Sequence, residues 1–255
     1  MHHTGAEPDP AAVGLPSGIT TLLFDLDGVI TKTAVVHAAA WKEMFDAFLS
    51  EWGAEHGAQP PFDPRSDYDR FVDGKPRYDG VRSFLESRQI TLPDGEPGDA
   101  PEKETVCGLG NRKNVLVNEI IERDGVEAYP GSIKYLAAAK AANLHLAVVS
   151  SSANCRAVLK SCGLLGEFEE IMDGVVAAEQ KIKGKPAPDT FIAAAKALDS
   201  SLKQAVVFED ALAGVEAGHA GGFGYVVGVD RVDQAAALKE HGADRVVEDL
   251  EELLG

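Results

Sequence analysis

The period of the apolar positions changes along the chain. Thr20 to Phe24, with Ile19 before them, form a short β-favouring run that stops at Asp25-Leu26-Asp27-Gly28. It reads as a buried strand ending in a glycine-containing loop. Trp41, Met44, Phe45, Phe48, Leu49 and Trp52 then recur at threes and fours, which predicts an amphipathic helix. Residues 53–111 hold most of the irregular text, including Gln-Pro-Pro, Gly-Lys-Pro and a Pro- and Gly-rich stretch at 93–101. Helices are expected around Gly80–Ser87 and Lys113–Arg123. From Ala128 the rhythm changes again. Tyr129-Pro130-Gly131-Ser132 reads as a turn before an Ala-rich helix. Strands at Leu144–Ser150, Ala205–Phe208 and Tyr225–Val229 alternate with helices at Arg156–Cys162, Pro188–Leu198 and Gly214–His219, and Asp244–Val247 with a Leu-rich C-terminus finishes the chain.

Strands alternating with helices imply a parallel sheet covered on both faces. The fold class expected is therefore α/β: a Rossmann-like parallel-sheet core with an inserted, smaller, all-helical cap domain. Residues 17–33 and 129–255 form the core in this reading, and 34–128 form the cap. Residues 1–16 form a disordered or irregular tail, in which His2 and His3 carry no function.

Composition narrows the partners. The chain has 255 residues, 45% of them hydrophobic and 25% charged, an ordinary globular balance. Its net charge of −17 argues against nucleic acid, whose phosphates need clustered Lys and Arg. No apolar run approaches the roughly 20 residues of a membrane span, so no membrane partner is expected. A cytoplasmic monomer is the default. Cys107, Cys155 and Cys162 show no metal-ligand spacing and read as reduced thiols. So acidic an enzyme acting on an anion must place its few cations, or a metal, at the site itself.

In a doubly wound sheet, ligands sit beyond the carboxyl ends of the strands. Here one strand end carries Asp25 and Asp27, a second carries Glu209-Asp210, and a third carries Ser150-Ser151-Ser152. Carboxylates converging on one edge repel unless a cation lies between them. A hard cation with oxygen ligands fits such a cluster, Mg²⁺ above all. Lys185, in Lys-Gly-Lys-Pro-Ala-Pro-Asp, is placed to neutralise a phosphate from a proline-fixed loop.

These motifs resemble, in order, those of the haloacid dehalogenase superfamily of phosphotransferases. Asp25-Leu26-Asp27-Gly28-Val29 resembles its nucleophile motif, Ser150 its hydroxyl, Lys185 its lysine and Glu209-Asp210 its acidic metal pair. A closer resemblance is to the β-phosphoglucomutase family. It is carried by Thr33-Ala34, His37, Ala40-Trp41-Lys42, Asp73-Gly74-Lys75-Pro76-Arg77, Asn111-Arg112-Lys113-Asn114 and Ser150-Ser151-Ser152-Ala153-Asn154.

The resemblance implies Asp25 as nucleophile and Asp27 as general acid and base, with Ser150 and Lys185 around the transferred phosphoryl group. It also implies that Mg²⁺ is held by the Asp25 side chain, the Asp27 backbone carbonyl and Asp210, with Glu209 near or in the shell. It implies that Thr33, His37, Trp41, Arg77, Lys113, Ser151, Ser152 and Asn154 bind substrate, with His37 and Lys113 touching the sugar or ordering Asp27, and Arg77, Ser152 and Asn154 at a second phosphate site. The substrates implied are phosphorylated sugars, β-glucose 1-phosphate passing through glucose 1,6-bisphosphate to glucose 6-phosphate. A sugar-phosphate phosphatase is the alternative. Two positions depart from the family pattern. Lys32 stands where an acidic residue is usual, and Ala153 stands where a basic one is usual, with Arg156 or Lys75 as candidate replacements.

Overall fold

A computed structural model describes residues 7–255, so His2 and His3 lie outside the described residues. The chain divides into two compact units. One comprises the residues up to Lys32 together with Val126–Gly255, and the other is Thr33–Gly125.

The first unit is built on six parallel strands: β1 (Thr21–Phe24), β2 (His145–Val149), β3 (Glu170–Met172), β4 (Ala205–Glu209), β5 (Tyr225–Val229) and β6 (Arg245–Val247). Their order is β3-β2-β1-β4-β5-β6, so the chain reverses direction across the sheet at β1. Every β1 residue is buried, as expected of a parallel strand covered on both faces. Leu22 is in register with Leu146 on one side and Val206 on the other, and Phe24 with Val148 and Phe208. Side chains alternate across the sheet. On one face Leu23, Ala147, Val149 and Val207 pack with Phe191 and Ala195. On the other, Phe24 stacks on Phe208 at 4.5 Å, and Tyr135 meets both rings edge-on.

The helices of this unit are α4 (Pro130–Ala141), α5 (Cys155–Ser161), α6 (Gly174–Glu179), α7 (Asp189–Ala197), α8 (Leu212–Gly221) and α9 (Ala235–Glu240). β3, α6 and α9 are absent from the sequence reading. They are three and six residues long, too short for a period to register. The expected irregular tail is a second difference. Pro10–Val13 form a 3-10 turn capped by the Asp9 carboxylate. Val13 and Leu15 are buried, and the Tyr135 hydroxyl donates to the Val13 carbonyl at 3.0 Å. A single turn anchored by two apolar side chains leaves no repeat in the sequence.

The second unit is helical: α1 (Ala34–His56), a five-residue π-helical turn (Tyr68–Val72), α2 (Arg77–Ser87) and α3 (Val106–Asp124). Its core is aromatic. Phe45 stacks on Trp41 and Phe62, each at 5.3 Å, and meets Phe84 at 4.0 Å. α3 begins seven residues before the helix expected at Lys113, because Thr105 caps it at Gly108. The glycines of Cys107-Gly108-Leu109-Gly110 conceal that start, since glycine argues against a helix interior. Among the described residues no helix is long and apolar enough to cross a membrane.

Val13→Asp places an unpaired carboxylate among apolar groups. It is expected to destabilise the protein by more than about 2 kcal/mol in a urea titration. An unchanged midpoint would detach residues 10–15 from the core.

Candidate active site

The carboxyl edge of the sheet gathers the acidic motifs. β1 and β4 are hydrogen-bonded neighbours, and the Asp25 amide extends their ladder by donating to the Phe208 carbonyl at 2.9 Å. Asp25 and the Glu209-Asp210 pair therefore emerge side by side. One carboxylate oxygen from each of Asp25, Glu209 and Asp210 lies within 4.8 Å of the others, and all three residues are buried.

Lys185 enters from the loop before α7 and is 2% exposed. Its Nζ lies 2.5 Å from Asp25 Oδ1 and 2.5 Å from Glu209 Oε1, and donates to the Val149 carbonyl at 3.0 Å. The ammonium thus donates to Asp25 and to the Val149 carbonyl, and it faces Glu209 Oε1 as an ion pair. Three buried carboxylates against one ammonium leave a formal deficit of two positive charges. An all-oxygen donor set with that deficit fits a hard divalent cation, so these residues could hold one.

Burial pushes the Asp25 carboxyl well above the usual carboxylate range, with Glu209 and Asp27 adding to the rise and Lys185 opposing it. Burial also works against the charge on Lys185, but Asp25 and Glu209 outweigh it and its pKa rises. The Asp27 carboxylate stands outside the three-residue cluster. Ser150 is buried at the end of β2 and its Oγ accepts from the Ser152 amide at 3.1 Å. Ser152 Oγ in turn accepts from the Asn154 amide at 3.1 Å, so Ser151, Ser152 and Asn154 lie on a self-bonded loop entering α5.

A family model described as haloacid dehalogenase-like hydrolase matches residues 19–222. The chain belongs to this family. The enzyme is 53% identical over 246 residues to a β-phosphoglucomutase of Mycobacterium tuberculosis, covering 95% of this chain and 94% of that one. It is 31% identical to the β-phosphoglucomutase of Bacillus subtilis, covering 91% and 90% of the two chains. A solved β-phosphoglucomutase structure from Clostridium difficile superposes with a TM-score of 0.72 at 26% identity, covering 92% and 93%.

In this haloacid dehalogenase-like enzyme the helical unit carries its own polar constellation. His37 and Lys113 are buried, with Lys113 Nζ 2.6 Å from His37 Nδ1. An ammonium can only donate, so Nδ1 accepts and Nε2 carries the ring proton. Lys113 Nζ also lies 4.8 Å from the Trp41 ring centroid. Trp41 itself is 3% exposed and belongs to the aromatic core. Thr33 is buried, and its carbonyl accepts from the His37 amide in the first turn of α1. Arg77 is the first residue of α2 and donates to the Tyr78 hydroxyl at 3.0 Å.

Neither candidate replacement for the basic residue missing at Ala153 is uncommitted. Arg156 donates to Asp173 at 3.0 Å and to the Ile171 carbonyl at 3.2 Å. Lys75 donates to Ser83 at 2.9 Å. Lys32 pairs with Glu127 at 2.9 Å.

Sequence reasoning missed Arg231. Its Nε donates to the Gly28 carbonyl at 2.7 Å, Nη1 donates to the Glu248 carbonyl at 2.6 Å, and its guanidinium lies 3.6 Å from the Tyr129 ring centroid. It pins the turn just after Asp27. The available signal was position, because Asp230-Arg231 comes directly after β5 as the acidic motifs come after β1 and β4.

Gly28 has φ +80°, and a Cβ there would overlap the Asp210 carboxylate. Gly28→Ala is expected to fold with a penalty of about 1–2 kcal/mol and to displace Asp210. Turnover should then fall at least about a hundredfold, because reacting groups lose alignment. A variant with full activity would show that Asp210 need not stand where it does.

Proposed function

We propose that the enzyme is a Mg²⁺-dependent phosphotransferase that forms an aspartyl phosphate at Asp25 and acts as a β-phosphoglucomutase. The reading rests on the buried cluster of Asp25, Glu209 and Asp210 around a single ammonium, a formal charge two short of neutrality. The mycobacterial relative supports the choice of substrate class.

Lys185 holds Asp25 Oδ1, which fixes the carboxylate and favours its ionised form. Asp25 attacks phosphorus, and the bond from phosphorus to the sugar oxygen breaks. Asp27, outside the cluster, is assigned as the acid that protonates the departing oxygen. It later removes the proton from the accepting hydroxyl, a relay worth about 10²–10⁴-fold. Ser150 and Lys185 hold the transferred oxygens. Mg²⁺, carried by Asp25, Asp210, the Asp27 carbonyl and Glu209, would supply the positive charge that lets two anions meet. His37, Lys113 and Thr33 are assigned to the sugar, and Arg77, Ser152 and Asn154 to the second phosphate. Asp25, phosphorylated beforehand by a bisphosphate, passes its phosphoryl group to the 6-hydroxyl of β-glucose 1-phosphate as the Asp25–phosphorus bond breaks; the 1,6-bisphosphate then reorients and returns its 1-phosphoryl group to Asp25, releasing glucose 6-phosphate.

One observation favours a second reading, a sugar-phosphate phosphatase with water as acceptor. Ala153 offers no cation, and Arg156 is committed to Asp173. Phosphorus NMR separates the two. With β-glucose 1-phosphate, Mg²⁺ and a trace of bisphosphate, the mutase reading expects glucose 6-phosphate; free phosphate alone would establish the phosphatase.

Asp25→Asn removes the nucleophile and should lower turnover at least about a thousandfold. Chelation of divalent ions should abolish activity, with recovery on adding Mg²⁺. Appreciable activity in either experiment refutes the mechanism.

A further inference from the structure

The Pro- and Gly-rich segment 93–104 has no apolar period, yet it is fastened at many points. Pro93 and Asp94 accept the Val106 and Cys107 amides, the first two donors of α3, each at 3.0 Å. Asp99 accepts from Glu96 N, Lys103 Nζ and Thr105 Oγ1 at 3.1, 2.6 and 2.7 Å. Arg82 reaches Asp94 at 2.8 Å, and Arg112 reaches the Pro101 carbonyl at 2.8 Å.

From this segment a hydrogen-bond chain of fixed polarity runs to Arg77. Asn111 Nδ2 lies 3.0 Å from the Pro97 carbonyl and 2.8 Å from the Asp99 carbonyl. Two carbonyls can only accept, so the amide nitrogen must face them and Oδ1 must point away. Oδ1 lies 2.9 Å from the Tyr78 hydroxyl and must accept from it. Tyr78 also lies 3.3 Å from the Pro97 carbonyl, but its single proton takes the shorter contact. Its oxygen is left to accept from Arg77 Nη2 at 3.0 Å. The Arg77 guanidinium lies 4.8 Å from the Tyr78 ring centroid. Gly110 makes room for the pair, since a Cβ there would sit 2.7 Å from Tyr78 Cδ1 and 3.1 Å from Arg77 Cγ.

We infer that segment 93–104 is a strap that aims Arg77 through Asn111 and Tyr78, and so sets the preference for phosphorylated sugars over simple phosphate esters. This rests on the reading of Arg77 as the ligand of the second phosphate. Tyr78 and Asn111 are positioning residues in this scheme. An arginine stem is flexible, and a guanidinium held in advance loses less freedom when it binds a phosphate. The strap holds it with a phenol, which is neutral and leaves the full charge for the ligand.

The test compares kcat/KM for β-glucose 1-phosphate with that for p-nitrophenyl phosphate, using Tyr78→Phe, Arg77→Ala and the double variant, with melting temperatures as a control for folding. Tyr78→Phe keeps the ring and removes only the link. It should lower the ratio of the two kcat/KM values about tenfold, leave aryl phosphate hydrolysis within about twofold, and add no further loss once Arg77 is Ala. An unchanged ratio, or an equal further loss in the Arg77→Ala background, overturns the strap while leaving Arg77 in place. If Arg77→Ala itself leaves the ratio unchanged, the assignment of Arg77 to the second phosphate fails first, and the strap's role falls with it.

Discussion

One ammonium group organises the core unit. Lys185 Nζ is buried and shared between Asp25 and Glu209, two carboxylates delivered by neighbouring strands. Without it, three buried carboxylates would meet in a medium that cannot screen them, and the cheapest response would be protonation. With it, the edge stays two positive charges short of neutrality, the shortfall a divalent ion can make up. The same ammonium also bonds the Val149 carbonyl, which links β2 to the arrangement. Removing it would disturb the ends of three strands at once.

The sheet supplies what a lysine cannot. The register that sets Phe24 beside Phe208 also sets the residues after them side by side, so carboxylates distant in sequence become neighbours with no loop to adjust. The turn after Asp27 needs more support, because it leaves the ladder at once. Gly28 turns with positive φ where a side chain would strike Asp210, and Arg231 holds its carbonyl from beyond β5. Positioning to fractions of an ångström is what phosphoryl transfer asks of a protein, since little else is left for it to do.

Much of this was legible in the sequence, for physical reasons. β1 and β4 announce themselves because buried parallel strands are continuous apolar runs, and each of the two gives way to acidic residues at its carboxyl end. Lys185 stood out because two prolines fix its loop. What stayed hidden depends on distance or brevity. Arg231 acts on a carbonyl 203 residues away, and no local pattern encodes that. Val13 anchors a four-residue turn with no period. The start of α3 is masked by glycines that close packing requires. Arg156 carries the right charge and faces Asp173.

The strongly acidic surface sharpens the meaning of each basic residue. Arg82, Arg88, Arg123 and Arg156 all bond to carboxylates, as do Lys103, Lys134 and Lys140. A cation paired in this way has little attraction left for a phosphate, and a net charge of −17 repels the phosphate besides. Arg77 differs, since the group it donates to is a phenol that is itself held by an amide. The cost of fixing a long side chain is met by neutral hydrogen bonds, so its charge is not cancelled. In a chain so rich in acid, this is what the proposed role of Arg77 toward an anionic substrate requires.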